Sequence, residues 1–211
     1  MIASKTASAR RRQPRSVGFA SVNSLARLHL CAVAEDSEVR GRHIAALLAF
    51  TPTVVRSSNR MRITFAHGPT ALWLSEVLAH KDVDLAEVGG DGGVVVITNP
   101  QIVLGRYGFR DGRWVFGQGL NAALGISRGA VHAAGTFNKH GMKVACPSAP
   151  MMLTLTAVMT RLGITAKPTD GEPRAAITAG DVPNALERLG IAGIADDYQR
   201  LRDTTVVRKQ A

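Results

Sequence analysis

The chain has 211 residues, 45% of them hydrophobic, and a formal net charge of +10. That is enough apolar material for a core in one domain or a tight pair, and too much for disorder along the whole length. The longest apolar stretches, such as AVHAAG and GVVVI, fall far short of the roughly 20 residues that span a bilayer, which excludes an integral membrane protein. Two cysteines, Cys31 and Cys146, and six histidines without ligand spacing offer neither a disulfide framework nor a metal site, and fit a reducing cytoplasm.

The charge is uneven. Up to Ala34 the chain holds Lys5, Arg10, Arg11, Arg12, Arg15 and Arg27 and no acid, so +6 belongs to this stretch, and the remainder carries 20 basic against 16 acidic side chains. A leader rich in Ser, Ala and Arg reads as a transit peptide, a phosphate-binding arm or an uninformative start; the reading adopted is a disordered basic arm over residues 1–37. GFASVNSLARLHLCAVA is interrupted by Arg27 and His29 and so lacks a secretory apolar region.

After the arm the chain repeats itself. RITFAHGPTALWLSEVLAH, from Arg62, aligns without gaps on KVACPSAPMMLTLTAVMTR, from Lys143, so one constant offset relates the two copies. An apolar helical run precedes each copy: HIAALLAF from His43, and GAVHAAGTF from Gly129. A strand follows, with Met61, Ile63 and Phe65 on one face and Arg60, Arg62 and Thr64 on the other. In the second copy Val144 and Cys146 point inward and Lys143 and Ala145 outward. Next come helices with apolar residues at three-four spacing (Ala71, Leu74, Val77, Leu78; Met152, Leu155, Val158, Met159, Leu162), each with a proline, Pro69 or Pro150, near its first turn. Strands VVVITN and RAAITA and closing helices PQIVLGRYG and DVPNALERLG complete two αββαββα halves. The halves span residues 38–108 and 126–203, with a connection over 109–125 and a tail over 204–211. Two equivalent helices must meet at the axis of such a duplication. Ala45, Ala46 and Ala49, with Ala133, Ala134 and Gly135, are the candidate contact.

Ala133 to Gly141, AAGTFNKHG, resembles a degenerate LAGLIDADG motif, the signature of homing endonucleases in which two such helices pack at the centre of a duplicated fold. SRGAVHAAGTFNKHG, KVACPSAP, LTAVMTRLGITAK and ITAGDVPNALERLGI, with the AALLAF run from Ala45 to Phe50, are similar to the WhiA family of bacterial sporulation and cell-division regulators. The likeness covers about residues 38–203 and stops short of the C-terminal helix-turn-helix which that family carries. It implies an α+β fold: a duplicated αββαββα unit whose two antiparallel sheets form a pseudo-two-fold saddle, with helices on the other side. It also implies a regulatory, DNA-associated role in a bacterial cytoplasm, at the nucleoid.

LAGLIDADG nucleases hold metal ions with one carboxylate at the end of each central helix. Here the acidic positions of the motif are Asn138 and His140, the repeat offset makes Ser57 and Asn59 their counterparts, and Thr51 to Arg60 contains no acid. The expectation is therefore no enzyme, no metal and no cofactor. DNA binding through the saddle is the leading reading, with Arg60, Arg62, Lys143, Lys167 and Arg174 as phosphate contacts and Arg62 and Lys143 as symmetry mates. Without a helix-turn-helix such binding is weak or nonspecific. A solvated strand face is the bland alternative for these residues. The basic, aromatic connection around Arg106, Tyr107, Phe109, Arg110, Arg113, Trp114 and Phe116 reads as rings pinned on the two halves. The runner-up function is a protein-interaction module, with a transcription-machinery protein as partner, which predicts apolar or mixed-charge sheet faces. No membrane partner is expected, and a duplicated chain completes its own symmetry as a monomer.

Overall fold

Exposure alternates residue by residue along Arg60–Phe65, with Met61, Ile63 and Phe65 buried, and this places one face of the strand on a core. The structure, a computed structural model, describes residues 18–89 and 92–207. After a helix α1 (Phe19–Ala32), the first half runs α2 (Ser37–Phe50), β1 (Val54–Arg56), β2 (Arg60–Phe65), α3 (Gly68–Leu78), β3 (Val83–Gly89), β4 (Gly92–Thr98) and α4 (Pro100–Leu104). A hairpin, β5 (Phe109–Arg110) with β6 (Arg113–Trp114), leads to the second half: α5 (Leu120–Ala134), β7 (Gly135–Asn138), β8 (Gly141–Ala145), α6 (Ala149–Arg161), β9 (Lys167–Pro168), β10 (Arg174–Thr178) and α7 (Val182–Arg188). The two sheets have the same order, β1-β2-β4-β3 and β7-β8-β10-β9, with neighbouring strands antiparallel. The molecule is thus the duplicated α+β saddle expected from the repeat. Pro69 and Pro150 lie in the first turns of α3 and α6, and Gly108 and Gly190 take the left-handed conformation after each closing helix.

Each sheet buries one face. Ile44, Leu47 and Leu48 of α2 meet Met61, Ile63, Val95 and Ile97 of the first sheet and Leu74 and Leu78 of α3. In the second core Ile126, Ala130 and Val131 of α5 pack with Met142, Val144, Ala175 and Ile177 and with Leu155 and Met159 of α6. The cores adjoin where α2 lies against α5. The closest approach is at Gly125 and Gly129: a Cβ on Gly129 would lie 2.3 Å from the carbonyl oxygen of His43 and 2.7 Å from Ala46 Cβ. Of the alanines expected at this contact, Ala45 and Ala46 are fully buried, and Ala46 faces Gly129. Ala49 and Ala134 line a small cavity beyond the crossing. Ala133 packs against both cores, while Gly135 already belongs to β7.

Several expected boundaries change. The basic arm ends earlier than residue 37, because α1 buries Val22, Ala26 and Leu30, positions repeating every four residues as one helical face requires. Residues 1–17, with Arg10 to Arg12 and Arg15, lie outside the described residues. GTF does not continue the second helical run. Gly135 ends it, and Gly135–Asn138 is a strand that puts Phe137 into the core. At the other end a helix, α8 (Ala195–Val207), extends past residue 204 and buries Tyr198.

In the connection Phe109 is buried in the first core, Trp114 packs against it in a tilted contact with ring centres 4.9 Å apart, and Phe116 packs on the second core. The rings pin the segment to both halves, and α5 begins at Leu120 rather than after residue 125.

Candidate nucleic-acid interface

The registers place Arg62 and Lys143 at equivalent points. Val55, Arg62, Val96 and Asp84 form one row across the first sheet. Thr136, Lys143, Ala176 and Lys167 form the matching row across the second. Directly paired residues of antiparallel strands share a face, so both rows lie on the faces turned away from the cores. Arg60 is exposed one pair along, opposite Thr98, and Arg174 lies opposite Ala145. All five expected contacts therefore lie on the outer faces.

These faces carry both signs of charge. Arg62 is 3.7 Å from the exposed Glu87, a pair that solvent screens to little net energy. Arg174 pairs with Glu172, and a depression of about 250 Å³ gathers Lys143 and Arg174 with Asp170 and Glu172. Where the second sheet has Lys167, the first has Asp84, and at the opposite edge of the same row Val55 is 68% exposed.

Asn138 and His140, read from the sequence as helix-end positions, lie instead at the end of β7 and in the β7–β8 turn, where the His140 amide donates to Asn138 Oδ1 at 2.8 Å. Their counterparts Ser57 and Asn59 lie in the β1–β2 turn. The central helices instead end at Phe50 and Ala134. Among the described residues no group of three or more His, Cys, Asp and Glu is arranged to hold a metal ion.

A cavity of about 610 Å³ opens between the end of β2, the start of α3 and the C-terminal end of α5. Thr64 and Val94 border it from the first sheet, Thr53 from just before β1, Arg27 from α1, His67 and Thr70 from the start of α3, and His132 from α5. Behind it runs a chain of polar side chains from four separate segments. Glu35 Oε1 accepts from Arg128 at 3.1 Å and from His43 Nδ1 at 2.9 Å. His43 Nε2 lies 2.9 Å from His132 Nδ1, His132 Nε2 lies 2.9 Å from Thr70 Oγ1, and Thr70 Oγ1 lies 2.9 Å from His67 Nδ1. Trp73 lies against both buried imidazoles, at 4.8 and 5.3 Å.

A carboxylate only accepts, so His43 donates from Nδ1. With His43 neutral the direction carries along the chain: His132 Nδ1 donates to His43, Thr70 donates to His132, and His67 Nδ1 donates to Thr70. Burial, then the neighbouring His43, Arg27 and His67, push His132 well below the usual imidazole range, so it is neutral at pH 7. Burial alone would raise the Glu35 carboxyl, but hydrogen bonds and charge from His43 and Arg128 leave it below its ordinary value. Burial and the charge of Arg27 lower His67. Cys31 Sγ lies 3.6 Å from His132 Nε2, and burial pushes its thiol up to about 11, so it is no thiolate nucleophile. Arg27, His67, Thr70 and His132 escaped the sequence reading because residues 27, 67–70 and 132 meet only in the fold.

No protein-family profile matches this chain, and no curated protein matches it. Solved structures do. The N-terminal LAGLIDADG domain of DUF199/WhiA superposes with a TM-score of 0.58 at 13% identity, over 80% of this chain and 89% of that one. Full-length DUF199/WhiA from Thermatoga maritima gives 0.60 at 13% identity, over 86% of this chain and 66% of the other. I-DmoI in complex with DNA and Ca, a homing endonuclease, gives 0.56 at 11% identity, over 74% and 91%. These likenesses establish a WhiA-like LAGLIDADG fold.

Proposed function

We propose that the chain is a noncatalytic, WhiA-like regulator that associates with DNA through the outer faces of its two sheets. The observation that carries this reading is the pseudo-symmetric placement of Arg62 and Lys143 on equivalent rows, in a chain of net charge +10. Paired antiparallel ribbons of this kind fit a major groove, and cations at fixed register neutralise phosphates. The ends of the central helices support a noncatalytic role: Ala49, Phe50 and Thr51, and Ala133, Ala134 and Gly135, contain no carboxylate to hold a metal ion. Magnesium-dependent plasmid cleavage that tracks the protein through independent purifications would overturn this part. A bacterial, nucleoid-associated location and a monomeric state belong to the same proposal. No helix is long and apolar enough to cross a membrane among the described residues.

A second reading, an interaction module for a transcription-machinery protein, is favoured by one observation. The first sheet's face mixes Arg60 and Arg62 with Asp84, Glu87 and the exposed Val55. A salt series of duplex binding separates the two. The Arg62→Ala/Lys143→Ala protein should lose about 1.8 from the slope of log affinity against log salt, since each phosphate contact contributes about 0.9. Asp84→Lys, which gives the first sheet the charge of the second at that row, should raise duplex affinity several-fold, a gain that misfolding cannot mimic. Unchanged affinity in both variants would leave the interaction module as the better account.

A further inference from the structure

The cavity beside α3 holds a cation, Arg27, that no carboxylate among the described residues neutralises. Arg27 is half-buried, donates only to the carbonyl oxygens of Asn23 and Gly135 at 3.5 and 3.4 Å, and has no carboxylate within ion-pair distance among the described residues. Burying a charge is costly unless it is paired. A second cationic-capable group, His67, lines the same cavity and feels the charge of Arg27. Among the described residues the acid on the cavity wall is Glu87, which is 74% exposed and lies beside Arg62.

We infer that this cavity takes a phosphate group, the backbone phosphate of a bound duplex, between the guanidinium of Arg27 and the imidazole of His67. Thr53, Thr64 and Val94 carry the cavity wall onto the outer side of the first sheet, so it continues the proposed interface. The polar chain behind it has a definite task. Because His67 Nδ1 is engaged by Thr70, Nε2 is left as the ring nitrogen that meets the ligand, and an incoming anion favours uptake of a solvent proton there, which adds a charge-assisted hydrogen bond. His132 and His43 are positioning residues in this arrangement. The site is one-sided, because the counterparts of His67 and Thr70 in the second half are Ser148 and Met151.

The proposal has its own test, and only the duplex arm rests on the sheet-face reading. Inorganic phosphate is titrated into the whole protein while the imidazole resonances of His67 are followed by NMR, and a short duplex is titrated in parallel. Phosphate should shift His67. Arg27→Gln should weaken its binding about tenfold, the scale of one charge-assisted contact, while Arg27→Lys should stay within about threefold. Thermal unfolding checks that each variant is folded, and Arg27→Lys keeps the test valid if Arg27→Gln unfolds. Duplex shifting the same resonances supports the backbone phosphate as the ligand. Phosphate shifting them while duplex does not would support the cavity but assign it to a free phosphorylated small molecule. Duplex binding through the sheet faces while tens of millimolar phosphate leaves His67 unmoved would overturn the proposal and leave the sheet interface standing.

Discussion

Replacing Gly129 by alanine tests the contact that joins the two halves. In an exposed helix the change would add about 1 kcal/mol of stability by restricting the unfolded backbone. At this position the new Cβ would lie 2.3 Å from the carbonyl oxygen of His43 and 2.7 Å from both Ala46 Cβ and Leu47 N. Two of those atoms are backbone, so the methyl group cannot be accommodated by a rotamer change, and α2 and α5 must move apart by about an ångström. Overpacking of this kind costs about 1 to 3 kcal/mol, and a clash with two backbone atoms belongs at the upper end, which leaves a net loss of about 2 kcal/mol after the helix-propensity gain. Gly41, on the same helix pair, is the control: its added Cβ would meet nothing nearer than Tyr107 Cδ1 at 3.7 Å, so Gly41→Ala should be neutral or stabilising by up to about 1 kcal/mol. Urea denaturation followed by circular dichroism measures both. If Gly129→Ala were as stable as the parent protein, the close crossing at that glycine would be wrong.

Two further outcomes follow from buried groups. His132 is held well below its ordinary value of 6.5, so below that pH the unfolded chain takes up a proton that the folded chain refuses. The stability it contributes is complete above about pH 6.5 and is lost at up to about 1.4 kcal/mol per pH unit as the pH falls further. His67 adds a smaller loss of the same sign, and Glu35 adds to it only below its ordinary 4.5. Urea midpoints between pH 7.5 and 5.5 should fall less steeply in His132→Gln; an unchanged slope would acquit His132. Leu30 on α1 is 1% exposed, and Leu30→Ala should cost about 2 to 4 kcal/mol, whereas a substitution in an arm that packs on nothing would leave the unfolding midpoint where it was.

The duplication, the α+β class and the direction of the side chains on the strands β2 and β8 are all legible in the chain before it folds. They rest on local periodicity: Met61, Ile63 and Phe65 alternate with Arg60, Arg62 and Thr64 whatever lies around them, and the offset that carries Arg62 onto Lys143 also carries α3 onto α6. The helix α1 was also legible, in Val22, Ala26 and Leu30, but the acid-free charge around Arg27 pointed to an arm instead. Gly125 and Gly129, at one-turn spacing, were a signal for close helix approach that the alanines nearby obscured. Packing between distant segments had to decide that Gly135 turns the second helical run into a strand, because the burial of Phe137 outweighs the helical pattern before it. The polar chain has the same origin, since His43 and His132 are 89 residues apart and Thr70 and His132 are 62 apart. Contacts of that range are set by how the two halves pack, and no period in the chain encodes them.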